Sequence, residues 1–156
     1  MHRTTLLEEL KGVVSAGETR PAALAKVAAL IKESGNHRWV GLYDVNHAAG
    51  LVSNIVWSGP GAPEFLTFPT TKGLTGSAIS MRKTVNVGNV ASDPRYLTAF
   101  GTTKSEIIVP IFDLTRENVV GTIDVESEQP AAFDPRTEGL LEACAELLTP
   151  LWRASD

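Results

Sequence analysis

The chain has 156 residues, a formal net charge of −4, and 43% apolar and 21% charged residues, a composition that predicts one folded domain over residues 1–156. The net charge and the lack of a Lys/Arg cluster to contact phosphates argue against nucleic acid as a partner. No apolar run has membrane-spanning length and the N-terminus lacks a signal-peptide core, so we expect a cytoplasmic protein without membrane contact.

The first third of the chain predicts two helices and a β-hairpin. Apolar residues at helical spacing predict a helix over residues 4–15, and Thr19 with Pro21 provides the cap and first-turn proline of a second helix over 22–33. Strands follow over 39–45 and 51–57.

Aromatic residues lie on one face of the first predicted strand. Trp39, Gly41 and Tyr43 share that face, and the glycine between the rings indicates a close approach or a cavity. The opposite face is expected to receive Val40, Leu42 and Val45.

A glycine-led helix is predicted over residues 72–81, after a short strand over 65–69 and before another over 84–87. The backbone N–H groups and the Thr75 hydroxyl at its start are able to hold an anion. Its spacing matches no phosphate-binding fingerprint, so ordinary capping is the simpler interpretation.

A second hairpin, with strands over 105–112 and 119–126, is the element around which the domain is organised. Alternation predicts that one face receives Ile107, Val109, Ile111, Val119, Gly121, Ile123 and Val125. The other face is expected to receive Glu106, Ile108, Pro110, Phe112, Val120, Thr122, Asp124 and Glu126.

The carboxylates Glu106, Asp124 and Glu126 therefore gather at one end of this second face. They are either solvated strand ends or the rim of a pocket that needs a cation or a proton, since like charges repel at short range. The long connection over 93–104 leads directly into Glu106 and is placed to act as a lid.

A terminal helix begins at Asp134 and Pro135 and ends near Pro150, with Cys144 on its apolar stripe. The lone cysteine and three scattered histidines predict no metal site, and no residue pattern predicts a cofactor or a nucleophile–base pair.

The element order and several motifs resemble the GAF domain family, in particular the stand-alone free methionine-(R)-sulfoxide reductases. The motifs are Trp39-Val-Gly-Leu-Tyr43, Gly73-Leu-Thr-Gly-Ser-Ala78, Ser105-Glu-Ile-Ile-Val-Pro110, Gly121-Thr-Ile-Asp-Val-Glu-Ser127 and Phe133-Asp134. The resemblance implies an α+β fold in which N- and C-terminal helices flank one face of an antiparallel sheet and a ligand pocket occupies the opposite face.

By this resemblance, Trp39 and Tyr43 wall the pocket, while Glu106, Asp124 and Glu126 bind polar groups of the ligand. Glu126 stands where the family is expected to have aspartate, and its extra methylene narrows or reshapes the pocket. Aligning the motifs places Phe65, Thr75 and Ala99 at the three positions where these enzymes carry thiols, and none of the three is a nucleophile for sulfoxide.

The leading hypothesis is therefore a non-catalytic sensor or carrier domain for a small cationic or amide-bearing ligand, such as an amino-acid derivative. The alternatives are a reductase that uses an atypical thiol or an external reductant, and a structural module with a vestigial pocket. A ligand carboxylate is expected near Thr75. The first helix carries more apolar surface than it needs to cover its own domain, at Leu6, Leu7, Leu10 and Val13, and this surface predicts a homodimer.

Overall fold

The computed structural model describes residues 5–35, 37–97 and 100–152 as an α+β fold, in agreement with the sequence analysis. The α-helices are α1 (Leu6–Ser15), α2 (Arg20–Ser34), α3 (Gly73–Met81) and α4 (Pro135–Leu148). The strands are β1 (Trp39–Asn46), β2 (Leu51–Ser58), β3 (Thr67–Pro69), β4 (Val85–Val87), β5 (Ser105–Phe112) and β6 (Val119–Ser127). Short 3-10 helices cover Val90–Ser92 and Thr149–Leu151.

The strands form one antiparallel sheet in the order β3-β2-β1-β6-β5-β4. Strands β1 and β6 are both long, β6 is rich in β-branched residues, and the two pair along six successive positions at the centre of the sheet. The short strands β3 and β4 form the edges. This order brings the two hairpins predicted from the sequence side by side.

The helix boundaries follow local capping chemistry. Thr5 accepts a hydrogen bond from the Glu8 N–H at the start of α1, and Asp134 accepts one from the Thr137 N–H (2.8 Å) at the start of α4. Helix α4 ends at Leu148, before Pro150, as predicted. The predicted start of the first helix, at position 4, lies outside the described residues.

Helices α1, α2 and α4 cover one face of the sheet, and α3 packs on the other. The helical side buries the main core, which includes Leu10, Leu24, Ile31, Leu42, Ile107, Ile123 and Leu148. Trp152 closes this core from the C-terminal side, where its Nε1 donates to the Tyr43 carbonyl oxygen (3.1 Å). The predicted bracketing by N- and C-terminal helices is confirmed.

Three predicted side-chain orientations are wrong. A bulge shifts the β5–β6 register between Ile111 and Phe112, so Val119 packs with Trp39 and Tyr43 while Val120 packs against the main core. Val45 also lies in the Trp39–Tyr43 cluster, because it is two residues beyond Tyr43 and alternation returns it to the same face.

The described helices all fall short of the length and apolar composition that crossing a bilayer requires.

Candidate functional site

The three carboxylates of the second hairpin converge inside the protein. Glu106 on β5 pairs with Glu126 on β6, and Asp124 lies opposite Ile108, two residues further along β5. Glu106, Asp124 and Glu126 are 5%, 6% and 0% exposed, and one oxygen of each lies within 4.8 Å of one from each of the others. We call them the acid trio. The alternative that they are solvated strand ends is wrong.

Burial forces protons onto this trio. The pKa of Glu106 is raised well above its usual range, first by burial, then by repulsion from the other two carboxylates and by its hydrogen bonds to them. Burial raises the pKa of Asp124 to about 6, and burial with repulsion from Asp124 raises that of Glu126 to about 8. Burial and mutual repulsion therefore oppose full ionisation of the trio, and Asp124, with the lower pKa, ionises before Glu126.

Several oxygens at the trio have no hydrogen-bond partner. Thr103 Oγ1 donates to Glu126 Oε1 (2.6 Å), but Glu126 Oε2 and Asp124 Oδ1 are fully buried and unpaired. Among the described residues, no Lys, Arg or His forms an ion pair with the trio, and Arg38 affects the Glu126 charge only through space. Buried unpaired carboxylate oxygens are unfavourable, so this arrangement indicates a site for a ligand that supplies positive charge or N–H donors.

The aromatic residues of β1 stand beside the trio. In the β1–β6 register, Trp39 lies opposite Glu126, Gly41 opposite Asp124 and Tyr43 opposite Thr122. Burial is the main reason that the pKa of Tyr43 is raised far above its usual range, with added repulsion from the trio. A Cβ at Gly41 would overlap the Trp39 ring, so the glycine accommodates that ring rather than leaving the open gap predicted from the sequence.

A small cavity of about 30 Å³ opens next to the trio, with room for one or two water molecules. Its lining residues are Tyr43, Pro63, Phe65, Phe68, Gly73, Leu74, Thr75, Leu97, Glu106 and Asp124. Of the predicted site residues, Tyr43, Thr75, Glu106 and Asp124 line it. Trp39 and Glu126 do not line it. The Trp39 indole lies over Gly41 and donates from Nε1 to the Gly61 carbonyl oxygen (3.0 Å). Glu126 is covered by Thr103.

A larger cleft, of about 630 Å³, lies between α4 and the turn after β5. Four of the charged residues on its walls have partners: Arg116 pairs with Glu146, Glu142 accepts from Thr84, and Glu138 accepts from Asn86. We place the candidate site at the smaller cavity because the buried, unpaired groups are there.

Comparison with known proteins identifies the family. The family model described as the GAF domain matches residues 19–149. This chain belongs to the GAF domain family.

Among curated relatives, GAF domain-containing protein A of Dictyostelium discoideum is 32% identical over 143 residues, covering 92% of this chain and 87% of that protein. The free methionine-R-sulfoxide reductase of Saccharomyces cerevisiae is 35% identical over 77 residues, covering 49% of this chain and 42% of that protein. An X-ray structure of the free methionine-R-sulfoxide reductase from Neisseria meningitidis, in complex with its substrate, superimposes with a TM-score of 0.86 at 28% identity, covering 97% and 94% of the two chains. The predicted family and fold are confirmed.

This GAF domain has no thiol at the cavity among the described residues. Phe65 and Thr75 line the cavity, while Ala99 lies outside the described residues. The only cysteine, Cys144, is fully buried among apolar residues of α4, and burial raises its pKa to about 12. Because the thiolate is the nucleophile, both the burial and the raised pKa of Cys144 disfavour its reaction in the folded protein.

Sequence reasoning did not identify two residues that cover the site in this GAF domain. Phe100 lies against the Trp39 ring (centroids 5.3 Å apart) and beneath the Arg38 guanidinium (6.0 Å), and Thr103 donates to Glu126. Both belong to the connection predicted as a lid, so the position of that connection before Glu106 was the available signal. The individual contacts depend on tertiary geometry that periodicity does not encode.

Proposed function

We propose that this GAF domain binds a small molecule that carries an ammonium group or several N–H donors, and that it does so without catalysing a reaction. The observation that carries the proposal is the pair of buried, unpaired oxygens, Asp124 Oδ1 and Glu126 Oε2. When it is ionised, the Asp124 carboxylate only accepts hydrogen bonds, so a ligand that contacts it must supply a donor. Each charge-assisted bond contributes about 1.5–3 kcal/mol.

An amino-acid derivative suits both ends of the cavity. Glu106 and Asp124 line one side, and Gly73, Leu74 and Thr75 at the start of α3 line the other. The first N–H groups of a helix lack intrahelical partners and attract anions. A zwitterion would then place its ammonium at the trio and its carboxylate near Thr75.

The cavity must enlarge to hold such a ligand, and its rim consists of side chains able to move. Phe65 is 40% exposed and Leu97 is half-buried, and both lie outside regular secondary structure. Displacing these two side chains would open the cavity without disturbing the sheet.

The non-catalytic part of the proposal rests on the residues at the thiol positions and on the burial of Cys144. The similarity to a methionine-sulfoxide reductase structure at 28% identity favours a second candidate, a reductase that uses an atypical thiol or an external reductant. We expect no reduction of free methionine-(R)-sulfoxide with dithiothreitol or thioredoxin. Turnover that disappears in Cys144→Ser would replace the proposal with the second candidate.

Calorimetric titration with amino acids tests the binding proposal, using decarboxylated and N-acetylated analogues to separate the two ends. Asp124→Asn should weaken binding about tenfold or more, because it removes the main negative charge. Glu106→Gln should weaken it as well, because it replaces a carboxyl that lines the cavity and hydrogen-bonds to the other two. Proton release should accompany binding, visible as heats that depend on the buffer.

The matched control is Glu142→Gln, which neutralises an exposed carboxylate of α4 and should leave binding unchanged. Equal affinity in wild type, Asp124→Asn and Glu106→Gln would contradict the proposal. Absence of binding by every amine tested would favour the third candidate, a structural module with a vestigial pocket.

Cytoplasmic location and a homodimer complete the proposed function. Leu10 is fully buried in the main core, while Leu6, Leu7 and Val13 of α1 pack against it and stay partly exposed. We propose that a second copy covers this remaining surface. Light scattering on a sizing column should give twice the chain mass of 16.7 kDa, and a monomer mass at tens of micromolar would contradict it.

A further inference from the structure

We propose that the larger cleft, between α4 and the turn after β5, is a docking groove for one amphipathic helix of a partner protein. The apolar face of that helix is flanked by a basic row on one side and an acidic row on the other. We call this cleft of about 630 Å³ the α4 groove. It shares no lining residue with the small cavity beside the acid trio, so the inference does not depend on the proposed ligand.

The α4 wall of the groove is acidic. Glu138, Glu142 and Glu146 follow one another at four-residue spacing, and all three line the groove. Among the described residues, neither Glu138 nor Glu142 forms an ion pair. Glu138 accepts a hydrogen bond from the neutral side chain of Asn86 (3.0 Å). Glu142 accepts one from the neutral Thr84 hydroxyl (2.6 Å), so both negative charges are left for a partner to neutralise.

The opposite wall of the groove is basic. It carries Arg82 and Lys83, which follow α3, and Arg116 in the turn between β5 and β6. In the described part of the chain Arg116 pairs with Glu146, while Arg82 and Lys83 have no ion-pair partner. The Asp113 carboxylate, on the same wall, accepts hydrogen bonds within its own turn. Arg82 and Arg116 have φ of 56° and 60°, and left-handed backbone outside glycine is concentrated at functional sites.

Apolar residues form the floor and the rim of the groove. Val109 and Pro110 of β5 and Ala145 of α4 are buried and line the floor. Leu114, in the turn after β5, is 87% exposed, and Met81, which borders an adjoining hollow, is 49% exposed. Exposed apolar side chains around a concave surface indicate an interaction site. The groove therefore combines an apolar floor with two walls of opposite charge.

This arrangement fits a helix better than a strand. Strand β5 lies under the groove and is hydrogen-bonded to β6 on one side and β4 on the other, so it has no free edge that could pair with an added strand. A strand also directs its side chains to two faces only, whereas a helix directs them all around its axis. A helix can thus place apolar residues on the floor and opposite charges against the two walls.

The spacing of the glutamates matches the same occupant. Cations placed four residues apart on a partner helix rise about 6 Å at each step, as the three glutamates of α4 do. One contact spans the groove, the pair between Arg116 and Glu146, and both of these side chains are exposed. Exposed ion pairs contribute little to stability, so an incoming helix can replace this pair at small cost.

The test measures the binding of three synthetic peptides to the whole chain by fluorescence anisotropy. Each peptide is a helix of about 18 residues with the same leucine face. The first has a lysine row on one flank and a glutamate row on the other, the second has glutamates on both flanks, and the third has lysines on both. We expect the first to bind about tenfold or more tightly than the others, because only it opposes each wall with the opposite charge. Its affinity should fall as salt is added.

Reversing the charge of the acidic wall should change the preference. In Glu138→Lys/Glu142→Lys both walls are basic, so the peptide with two glutamate rows should become the tightest binder, by about tenfold. The matched control, Glu33→Lys/Glu64→Lys, changes the net charge equally at two exposed positions outside the groove and should keep the wild-type order. Circular dichroism checks that each variant is folded.

A third variant tests the apolar rim. Leu114→Asn alters a side chain that is almost fully exposed, so it should leave the melting temperature unchanged while weakening binding of the first peptide about fivefold or more. Equal affinity of the wild type for all three peptides, an unchanged order in the charge-reversed variant, or no binding of the first peptide at about 100 μM would overturn the proposal. Peptide binding without amine binding would leave this inference standing while the proposed function failed.

Discussion

The two faces of the sheet are built on different principles. The face under α1, α2 and α4 buries one continuous apolar core. The opposite face divides its apolar residues into two small clusters, with Trp39 and Tyr43 in one and Leu74 and Ile108 in the other. It also carries the three buried carboxylates. A face that served only stability would fill that space with apolar side chains, so the buried carboxylates lower the stability of the second face.

The largest expected effect comes from the core face. Ile123 is fully buried at the centre of the sheet, and Ile123→Ala should lower the free energy of unfolding by about 2–5 kcal/mol because it leaves a cavity. Urea denaturation measures the change. The comparison is direct because the next residue, Asp124, belongs to the acid trio on the opposite face. A loss below 1 kcal/mol would show that the core face is less tightly packed than described.

A smaller loss is expected where the core meets the C-terminal tryptophan. A Cβ at Gly121 would overlap the Trp152 indole, so Gly121→Ala should displace that ring and weaken its hydrogen bond to the Tyr43 carbonyl. Overpacking of this kind costs about 1–3 kcal/mol. Thermal unfolding measures the loss, and Gly139→Ala on α4, where a Cβ meets no atom within 4 Å, is the control.

Neutralising a carboxylate of the trio should raise the free energy of unfolding rather than lower it. In the unfolded chain Asp124 and Glu126 titrate at their ordinary values of 3.8 and 4.5, but in the folded protein at about 6 and about 8. The folded state thus binds more protons over that interval, and stability falls as the pH rises from about 4 to about 8. Asp124→Asn should reduce this fall and raise the melting temperature at pH 8 by about 2–4 °C for each kcal/mol relieved.

Melting curves of the wild type and of Asp124→Asn, recorded from pH 4 to pH 8 in metal-free buffer, test this pH dependence. Glu142→Gln should keep the wild-type pH dependence. If Asp124→Asn also keeps it, the trio does not retain its protons and the difference between the faces is smaller than inferred.

The smallest effect concerns the cover of the site. Thr103→Val keeps the shape but removes the 2.6 Å bond to Glu126, and should cost about 0.5–1.5 kcal/mol. It should also raise the pKa of Glu126 further, because this bond favours the ionised form. The control Thr115→Val removes an exposed hydroxyl bonded to Asp113 (2.8 Å) and should change stability less. Equal effects would show that the Thr103 contact is incidental.

Local patterns predicted the elements of the fold well. The β5–β6 hairpin, the caps at Asp134 and the core position of Cys144 follow from alternation, capping chemistry and helical spacing, all of which are properties of neighbouring residues. The sequence also predicted that the acid trio converges, because side chains alternate between the two faces along each of the paired strands.

Features set by tertiary packing were not predictable. One extra residue at the β6 bulge moves the Val119 side chain to the opposite face of the sheet. The gap predicted at Gly41 is occupied by the neighbouring Trp39 ring. Neither the small size of the cavity nor the Thr103 bond to Glu126 has a counterpart in the linear sequence. Such features depend on how side chains share space across distant elements.

The rate at which a thiol reagent labels the single cysteine, Cys144, reports how often the folded chain opens. Cys144 faces the sheet from α4, so a thiol reagent reaches it only when that helix detaches or the whole chain unfolds. Labelling rates in mild denaturant would therefore measure how fast the helical layer opens, and no engineered probe is needed. A ligand that binds the opposite face stabilises the protein against global unfolding, so it would slow labelling through the fully unfolded state. It would not slow labelling that follows detachment of α4 alone. Labelling with and without the ligand therefore separates partial detachment from global unfolding.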